Sequence, residues 1–482
     1  MSADRFDPQR RRFHRGVIAA TAATAVGGLS AALGGCREDA LTIEDVSRLD
    51  RTPVAAVLRP RSVSALREAL ANDRRPVSIG GGRYSMGGQI AYPNSLHLDM
   101  RGLRGLVRLD AANRRVRVQA GMRWRDLQTL IDPHGLSVAI MQSYSNFTVG
   151  GSLSVNCHGR YVGRGPLANS VRALQLATAD GELWELDRET QPELFGAAIG
   201  GYGGLGVVTE IELDLELNTK IAREAQFVAL NEYPAWFRER IAASDDAVLH
   251  NADLVPPAFD RPLAITWRRT EAALTTAERL IPEDRDYSRD QNLIWAASEL
   301  PFGDEVRERK MTRRQIAEHP VVWRNREASL DADALEPRTR RMSTYLLQEY
   351  FVPAAGFHGF AAEMAKTLRA FEVNALNVSI RHSPGDRTTL LRWATEDVFS
   401  FVLYYKQRSY RRADADAARW TRRLIDAALA HGGRYYLPYR LHATPAQFLR
   451  AYPEAEAFAT LKARIDPQNR FRNGLWERYL PR

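Results

Sequence analysis

The 482-residue chain is poor in cysteine. Cys36 and Cys157 are too few and too differently placed for a disulfide framework. Neither has a second cysteine nearby and the ten histidines are scattered, so no zinc-type spacing occurs and no metal is expected. Long apolar runs are also lacking. The apolar segment from Val17 to Ala32 is shorter than the roughly 20 residues that a bilayer span requires, and it carries Gly27 and Gly28. A permanent transmembrane helix is therefore the weaker reading. Nor is there a repeated basic-aromatic face. Of the formal net charge of +9, five arginines against two aspartates before Gly16 supply +3. The modest remainder fits an anionic ligand or simple solubility and gives no reason to expect nucleic acid.

The 45% of hydrophobic residues can bury a sizeable core, and the length suggests two or three domains. The start of the chain reads as an address. Arg10-Arg11-Arg12-Phe13, followed by Arg15 and an Ala/Gly/Thr-rich run, describes an export signal over residues 1–36 and resembles a twin-arginine leader. That route moves proteins already folded and implies a periplasmic destination. Leu33-Gly34-Gly35-Cys36 also looks like a lipobox. Cys36 is then either a lipidated first residue tethered to a membrane or, with cleavage near Ala32, a free thiol in a flexible leader.

Beyond the leader, Val54 to Arg59 reads as a strand, Ser62 to Asn72 as an amphipathic helix and Pro76 to Ile79 as a strand entering Gly80-Gly81-Gly82. Leu106 to Asp110 and Arg114 to Gln119 alternate as a hairpin, and a helix is expected over Met122 to Ile131. Gln142 to Gly165 has no period and is expected as long irregular backbone, the first place to look for function. Val171 to Thr178 and Glu182 to Asp187 meet at Asp180-Gly181, and Leu205 to Leu217 reads as one long strand. After Asn218 glycine clusters disappear and a second domain begins. Ala225 to Trp267 and Leu347 to Tyr405 each read as strand, helix and paired strands, a diverged repeat that would build one large antiparallel sheet. The Arg-rich stretch Arg268 to Arg341 between them reads as a solvated face, and Arg419 to Ala430 as a helix.

Gly80 to Gln89 follows a strand directly, so its backbone N–H groups suit an anion-binding nest for a pyrophosphate. It is not the Rossmann fingerprint, because the glycine order is wrong and no helix obviously begins there. A second cluster, Thr148-Val149-Gly150-Gly151-Ser152-Leu153-Ser154-Val155-Asn156-Cys157-His158-Gly159, is followed by Leu176 to Glu182 and by Gly203 to Thr209. These four motifs in this order resemble the FAD-binding domain of the vanillyl-alcohol oxidase and p-cresol methylhydroxylase superfamily over residues 50–218.

The resemblance implies an α+β chain. Its PCMH-type FAD-binding domain, with two subdomains, would occupy residues 50–220. A cap domain over 221–440 would carry a large antiparallel sheet covered by helices, and segment 441–482 would return beside the flavin. It places Gly80, Gly81, Gly82, Arg83, Tyr84, Ser85, Gly88 and Gln89 in the first cofactor loop. Thr148, Val149, Gly150, Gly151, Ser152, Ser154, Asn156, Cys157, His158 and Gly159 form the second loop, and Gly206, Val207, Val208 and Thr209 the third. Tyr84 stands where many relatives carry a flavin-linked histidine, so FAD is expected without a covalent bond. Cys157 reads as a small packed residue near the isoalloxazine.

In the cap, Gln348 to Pro353 is similar to a flavin-facing strand of decaprenylphosphoryl-ribose oxidase, with Glu349 at a substrate contact. Ser379-Ile380-Arg381 resembles the Glu-x-Arg strand of alditol oxidases with Ser in place of Glu. Tyr435 to His442 occupies the region where sugar and polyol oxidases present a lysine, and this chain has none there. Arg440 or Tyr439 is expected to supply the electrostatic role, and His442 or Glu349 to take the proton. The resemblance implies an FAD-dependent oxidase or dehydrogenase acting on the CH–OH of a sugar, polyol, lactone or lipid-linked sugar, with oxygen or another acceptor. A flavin-dependent C=C reductase and a catalytically inactive flavin-binding protein are the alternatives.

Overall fold

The computed structural model describes residues 41–300, 303, 312–337 and 339–480. The export signal and Cys36 lie outside the described residues. Ser62 caps the first helix, its hydroxyl accepting from Ala65 N, and Leu66 and Leu70 on one face of Val63–Asn72 are fully buried. That helix connects strands Ala56–Leu58 and Val77–Gly80, which both pair in parallel with Leu96–Asp99 to form a small three-stranded sheet.

A second, antiparallel sheet is built from two hairpins flanking Val207–Leu217, with Leu136–Val138 paired to the end of that strand. Along Val207–Leu217, Val207, Thr209, Ile211, Leu213 and Leu215 are buried and the residues between them are half-buried, the period of a strand with one face in a core. At the turn between strands Val171–Ala177 and Leu183–Asp187, Gly181 adopts φ +85°, and a Cβ there would lie 2.7 Å from Arg67 O.

The segment expected to be irregular over Gln142 to Gly165 contains a short helix, Val149–Ser154. Thr148 starts it by accepting a bond from Gly151 N at 3.2 Å. Two consecutive glycines hid it from propensity, yet Gly150 is held against Ala120, where a Cβ would meet Ala120 Cβ at 2.6 Å.

Apart from a two-stranded strap, in which Thr42–Glu44 pairs with Arg51–Pro53, the remaining eight strands form one antiparallel sheet that contains the expected repeat. Lys220–Phe227, Ala247–Leu254 and Pro262–Arg269 form one unit, and Ser343–Pro353, Ala375–Ser383 and Val398–Arg408 form the other. In each unit the third strand lies between the first and second. The units join where Ala247–Leu254 pairs with Ala375–Ser383. Helices Phe357–Ala370 and Arg411–Ala430 cover one face, and the second begins eight residues before the expected Arg419. Its buried stripe, including Ala417, Trp420, Leu424 and Ala428, packs on the sheet, with Trp420 edge-on to Tyr405.

The C-terminal segment returns to the first two sheets. Val77 N donates to Arg470 O at 2.6 Å, and Arg472 N donates to Val77 O at 2.9 Å. The buried Lys462 ammonium reaches Gly204 O, Asp466 and Phe471 O, and Trp476 Nε1 donates to Gly201 O.

Candidate active site

Between the two N-terminal sheets lies a cleft with ≈ 760 Å³ of empty space, part of it open to solvent. Ile79, Gly81 and Ser85 come from the parallel side, and Thr148, Gly150, Gly151, Ser154, Leu176, Gly206 and Val208 from the antiparallel side. Strand Val77–Gly80 ends at the cleft, and the amides of Gly81, Gly82, Arg83, Tyr84 and Ser85 have no backbone partner among the described residues. The loop is held open by neighbours on both sides. Met86 N donates to Pro438 O, Gly88 N to Asp45 Oδ2, and Gln89 Nε2 to the carbonyls of Leu437 and Tyr439. Arg83, at φ +64°, turns its guanidinium toward His97 and Asp99. Burial pushes the His97 imidazole down to about 4, so it packs neutral under Gly80.

The second cluster plays a different part from the first. The amides of Val149, Gly150 and Ser152 already donate to Met122 O, Ala120 O and Thr148 O, so this segment offers shape rather than free donors. Asn156 bonds Asp386 and Ala168 N, and its carbonyl accepts from Trp393 Nε1, which makes it a brace between the segment and the cap. Ser152 links Trp124 to Gln142, and Gly159 fits closely against Met141 O. Val207 and Thr209 point into the sheet core beside the cleft. Cys157 is buried, and burial pushes its thiol up to about 12. Tyr84 stacks on Phe147 at 4.2 Å.

His158 turns away from the cleft to meet the cap. Its Nε2 is 2.6 Å from Glu349 Oε1, and Tyr439 OH donates to Glu349 Oε2 at 3.2 Å. Glu349 is 2% exposed, and the imidazole is enclosed by Phe351, Trp393 and Tyr436. Burial alone would raise the Glu349 carboxyl; His158, Arg381 and Tyr439 outweigh it and hold the group below the usual carboxylate range. Burial and the adjacent carboxylate push the Tyr439 phenol well up, so it is a hydrogen-bond donor to Glu349. Tyr202 connects the two regions, since it lines the cleft and lies within the field of Tyr439 and Glu349.

Arg381 joins this group through charge. It acts on Glu349, Tyr439, Tyr144 and Asp253, and its buried Nε has no hydrogen-bond partner among the described residues. The structure does not bring Arg440 and His442 to Glu349. Arg440 bonds Asp50, Asp414 and Met86 O. His442 bonds Thr421 and Asp414 at 3.2 Å each. Both thus serve a network that ties the strap at Asp50 and the helix at Asp414 to the 437–442 segment.

Residues 54–187 match the family described as FAD binding domain. The chain carries a FAD binding domain of the vanillyl-alcohol oxidase and p-cresol methylhydroxylase type. It is similar to the alditol oxidase of a Streptomyces species, 34% identical over 162 residues, 33% of this chain and 38% of the relative. It is also similar to the L-gulonolactone oxidase of Bos taurus, 32% identical over 158 residues, 32% of this chain and 36% of the relative. The mitochondrial L-galactono-1,4-lactone dehydrogenase 2 of Oryza sativa subsp. japonica is 32% identical over 185 residues, 36% of this chain and 30% of the relative. The alignments span less than two fifths of each of these relatives.

The cleft fits FAD. Its walls are mostly backbone and apolar side chains, no carboxylate lines it among the described residues, and the open amides of Gly81 to Ser85 suit a diphosphate. Added Cβ atoms at Gly81, Gly150 and Gly206 would lie 2.3 Å from Thr148 Oγ1, 2.6 Å from Ala120 Cβ and 2.7 Å from Ala177 O. Several cleft residues were not foreseen as cofactor contacts, including Ile79, Ala120 and Ala198. As apolar residues of strands and helices they carry no local signal that distinguishes a cleft wall from a core.

Proposed function

We propose that this protein is an FAD-dependent oxidoreductase that takes a hydride from a carbon bearing a hydroxyl in a sugar, polyol, lactone or lipid-linked sugar. The observation that carries the proposal is the buried Glu349 carboxylate, held ionised beside a flavin-binding cleft by His158, Tyr439 and Arg381. FAD, when bound, supplies the hydride acceptor. Glu349 is the base that takes the hydroxyl proton. His158 fixes the carboxylate through Oε1, Tyr439 orients Oε2, and Arg381 balances the charge that develops on the substrate oxygen. The aromatic enclosure around His158 keeps water from this pair.

The three relatives named above are called oxidases or dehydrogenases of alditols and lactones, which supports the same substrate class. Reoxidation by oxygen or by another acceptor completes the cycle. The proposal includes folded export: the twin-arginine leader suits a protein whose cofactor is loaded before transport, and Cys36 suits a lipid tether. Fractionation of cells making the full chain, with an R10K/R11K variant that should stay in the cytoplasm, tests that part.

The reaction is tested by anaerobic mixing of the yellow protein with a panel of alditols, aldoses and lactones. Bleaching by members of the panel is expected. Bleaching by a nicotinamide donor alone would instead assign a reductase, and protein unable to take up flavin would overturn both.

A further inference from the structure

Strand pairing places Asp253, Ser379, Val402 and Glu349 in one row across four adjacent strands of the large sheet. Directly paired residues project from the same face. The next row on that face contains Arg381, Ser400 and Phe351, and the row on the other side contains Asn377, Tyr404 and Leu347. Ala252, Val378, Ile380, Phe401, Leu403 and Tyr350 on the opposite face are fully buried; on this face Asp253, Asn377, Ser379 and Arg381 are half-buried, and Val402, Ser400, Phe351 and Glu349 are buried. The face is therefore half-open and polar around Asp253, Ser379 and Arg381 and closes toward the buried Glu349, with Tyr144 of the FAD domain within the field of Arg381 and Asp253.

On this face Arg381 Nε and the Oγ of Ser400, a residue only 1% exposed, lack partners among the described residues. Asp253, at the far end, has neutral hydrogen-bond partners, Asn251, Asn377 and Ser379. Burial raises its carboxyl, opposed by these bonds and by the Arg381 charge. A face that carries these hydroxyl, amide and carboxyl side chains, with the Ser400 hydroxyl and Arg381 Nε unpartnered among the described residues, suits a ligand with many hydroxyls of its own.

We infer that the row from Glu349 to Asp253 is the floor of an extended substrate site. On this inference the protein takes an uncharged open-chain polyhydroxy compound, with Glu349 at the carbon that is oxidised and Asp253 holding a hydroxyl at the remote end. Three strand-to-strand steps separate the two acids, about 14 Å between Cα atoms. The gap suits a chain of several carbons better than a two- or three-carbon alcohol. Arg381 and Ser400 flank the row and bond hydroxyls between its ends. The inference rests on the proposed alcohol-oxidising reading and names its substrate class.

The test uses the flavin-loaded full chain and an alditol series from glycerol to sorbitol, with wild type, Asp253→Ala and Asp253→Asn compared at matched flavin content. In the wild type, KM should fall as the chain lengthens. In Asp253→Ala, KM should rise by roughly 10–100-fold for the longest alditols, the worth of a hydrogen bond to a charged group, and progressively less for shorter ones. Asp253→Asn should recover part of the length dependence. A rise equal at every length, or no rise, overturns the inference while leaving the proposed reaction standing. If no alditol bleaches the flavin, binding of the same series, followed by perturbation of the flavin absorbance, decides the matter: a length-dependent affinity lost in Asp253→Ala supports the site without the reaction, and its absence removes the site.

Discussion

His158 Nε2 and Glu349 Oε1 are 2.6 Å apart although the two residues are 191 positions apart in the chain. One comes from the segment after a glycine helix in the FAD domain and the other from the middle of a cap strand, so the contact ties cofactor domain to cap at the proposed base. Removing either partner leaves the other buried without its bond, at a cost of roughly 3–5 kcal/mol if a charge is stranded.

Glu349→Gln keeps the shape and removes the charge. Its kcat is expected to fall by about 10²–10⁴ with flavin content retained. Because the folded carboxyl is held below its ordinary value, its contribution to stability is present above the unfolded value and is lost as pH falls through the folded one. Activity should therefore show an acid limb at low pH that the Gln variant lacks. A variant with wild-type turnover would remove Glu349 from the mechanism.

The cleft wall gives a second prediction. In Gly150→Ala the new Cβ would meet Ala120 Cβ at 2.6 Å and Ala120 O at 2.9 Å, both part of a packed sheet end. Separating them should cost about 1–3 kcal/mol and shift helix Val149–Ser154 at the edge of the cleft. A lower melting temperature together with a lower flavin-to-protein ratio is expected; normal flavin occupancy would show that the close approach is not needed.

The alternation along Val207–Leu217, the Asp180-Gly181 turn and the repeated strand-helix-strand-strand units were legible because each is a local pattern with a local cause. The helix at Val149–Ser154 was not, since its stability comes from the Thr148 cap and the fit of Gly150 against Ala120. Similarly, Arg440 and His442 lie in a motif that invites a catalytic role, yet Asp50 and Asp414 claim them. Asp414 is 26 residues before Arg440, and Asp50 is 390 before it. The row of Asp253, Ser379 and Glu349 likewise depends on strand register, which no single stretch of sequence carries.

The bond between protein and flavin is expected to be noncovalent. Tyr84 is a phenol stacked on Phe147, and Cys157 is a buried thiol whose ionisation is pushed up to about 12. Neither is an available nucleophile near neutral pH. Acid precipitation should leave a colourless pellet and a yellow supernatant, whereas colour kept in the pellet would place a covalent link on this chain.

Asp45 gives a pH prediction of opposite sign to Glu349. Its carboxyl is buried beside Asp50 and accepts bonds from Ser47 N at 2.9 Å and Gly88 N at 3.3 Å, so the strap it belongs to grips the first flavin loop. Burial, with a smaller push from Asp50, raises it from 3.8 to about 6, against the bonds from Ser47 and Gly88 and the Arg440 charge. A carboxyl raised by folding binds its proton more tightly in the native state. Its contribution to stability is full below the unfolded value and is lost as pH rises through about 6, a change of about 3 kcal/mol in all. Thermal unfolding of the flavin-loaded protein between pH 4 and pH 7 should therefore show a falling component that Asp45→Asn lacks, so the two stability curves converge or diverge across that window. Parallel curves would mean that the Asp45 carboxyl stays ionised in the fold and that the strap is held by the remaining bonds, Val46 N to Arg83 O and Thr344 Oγ1 to Ser47 O.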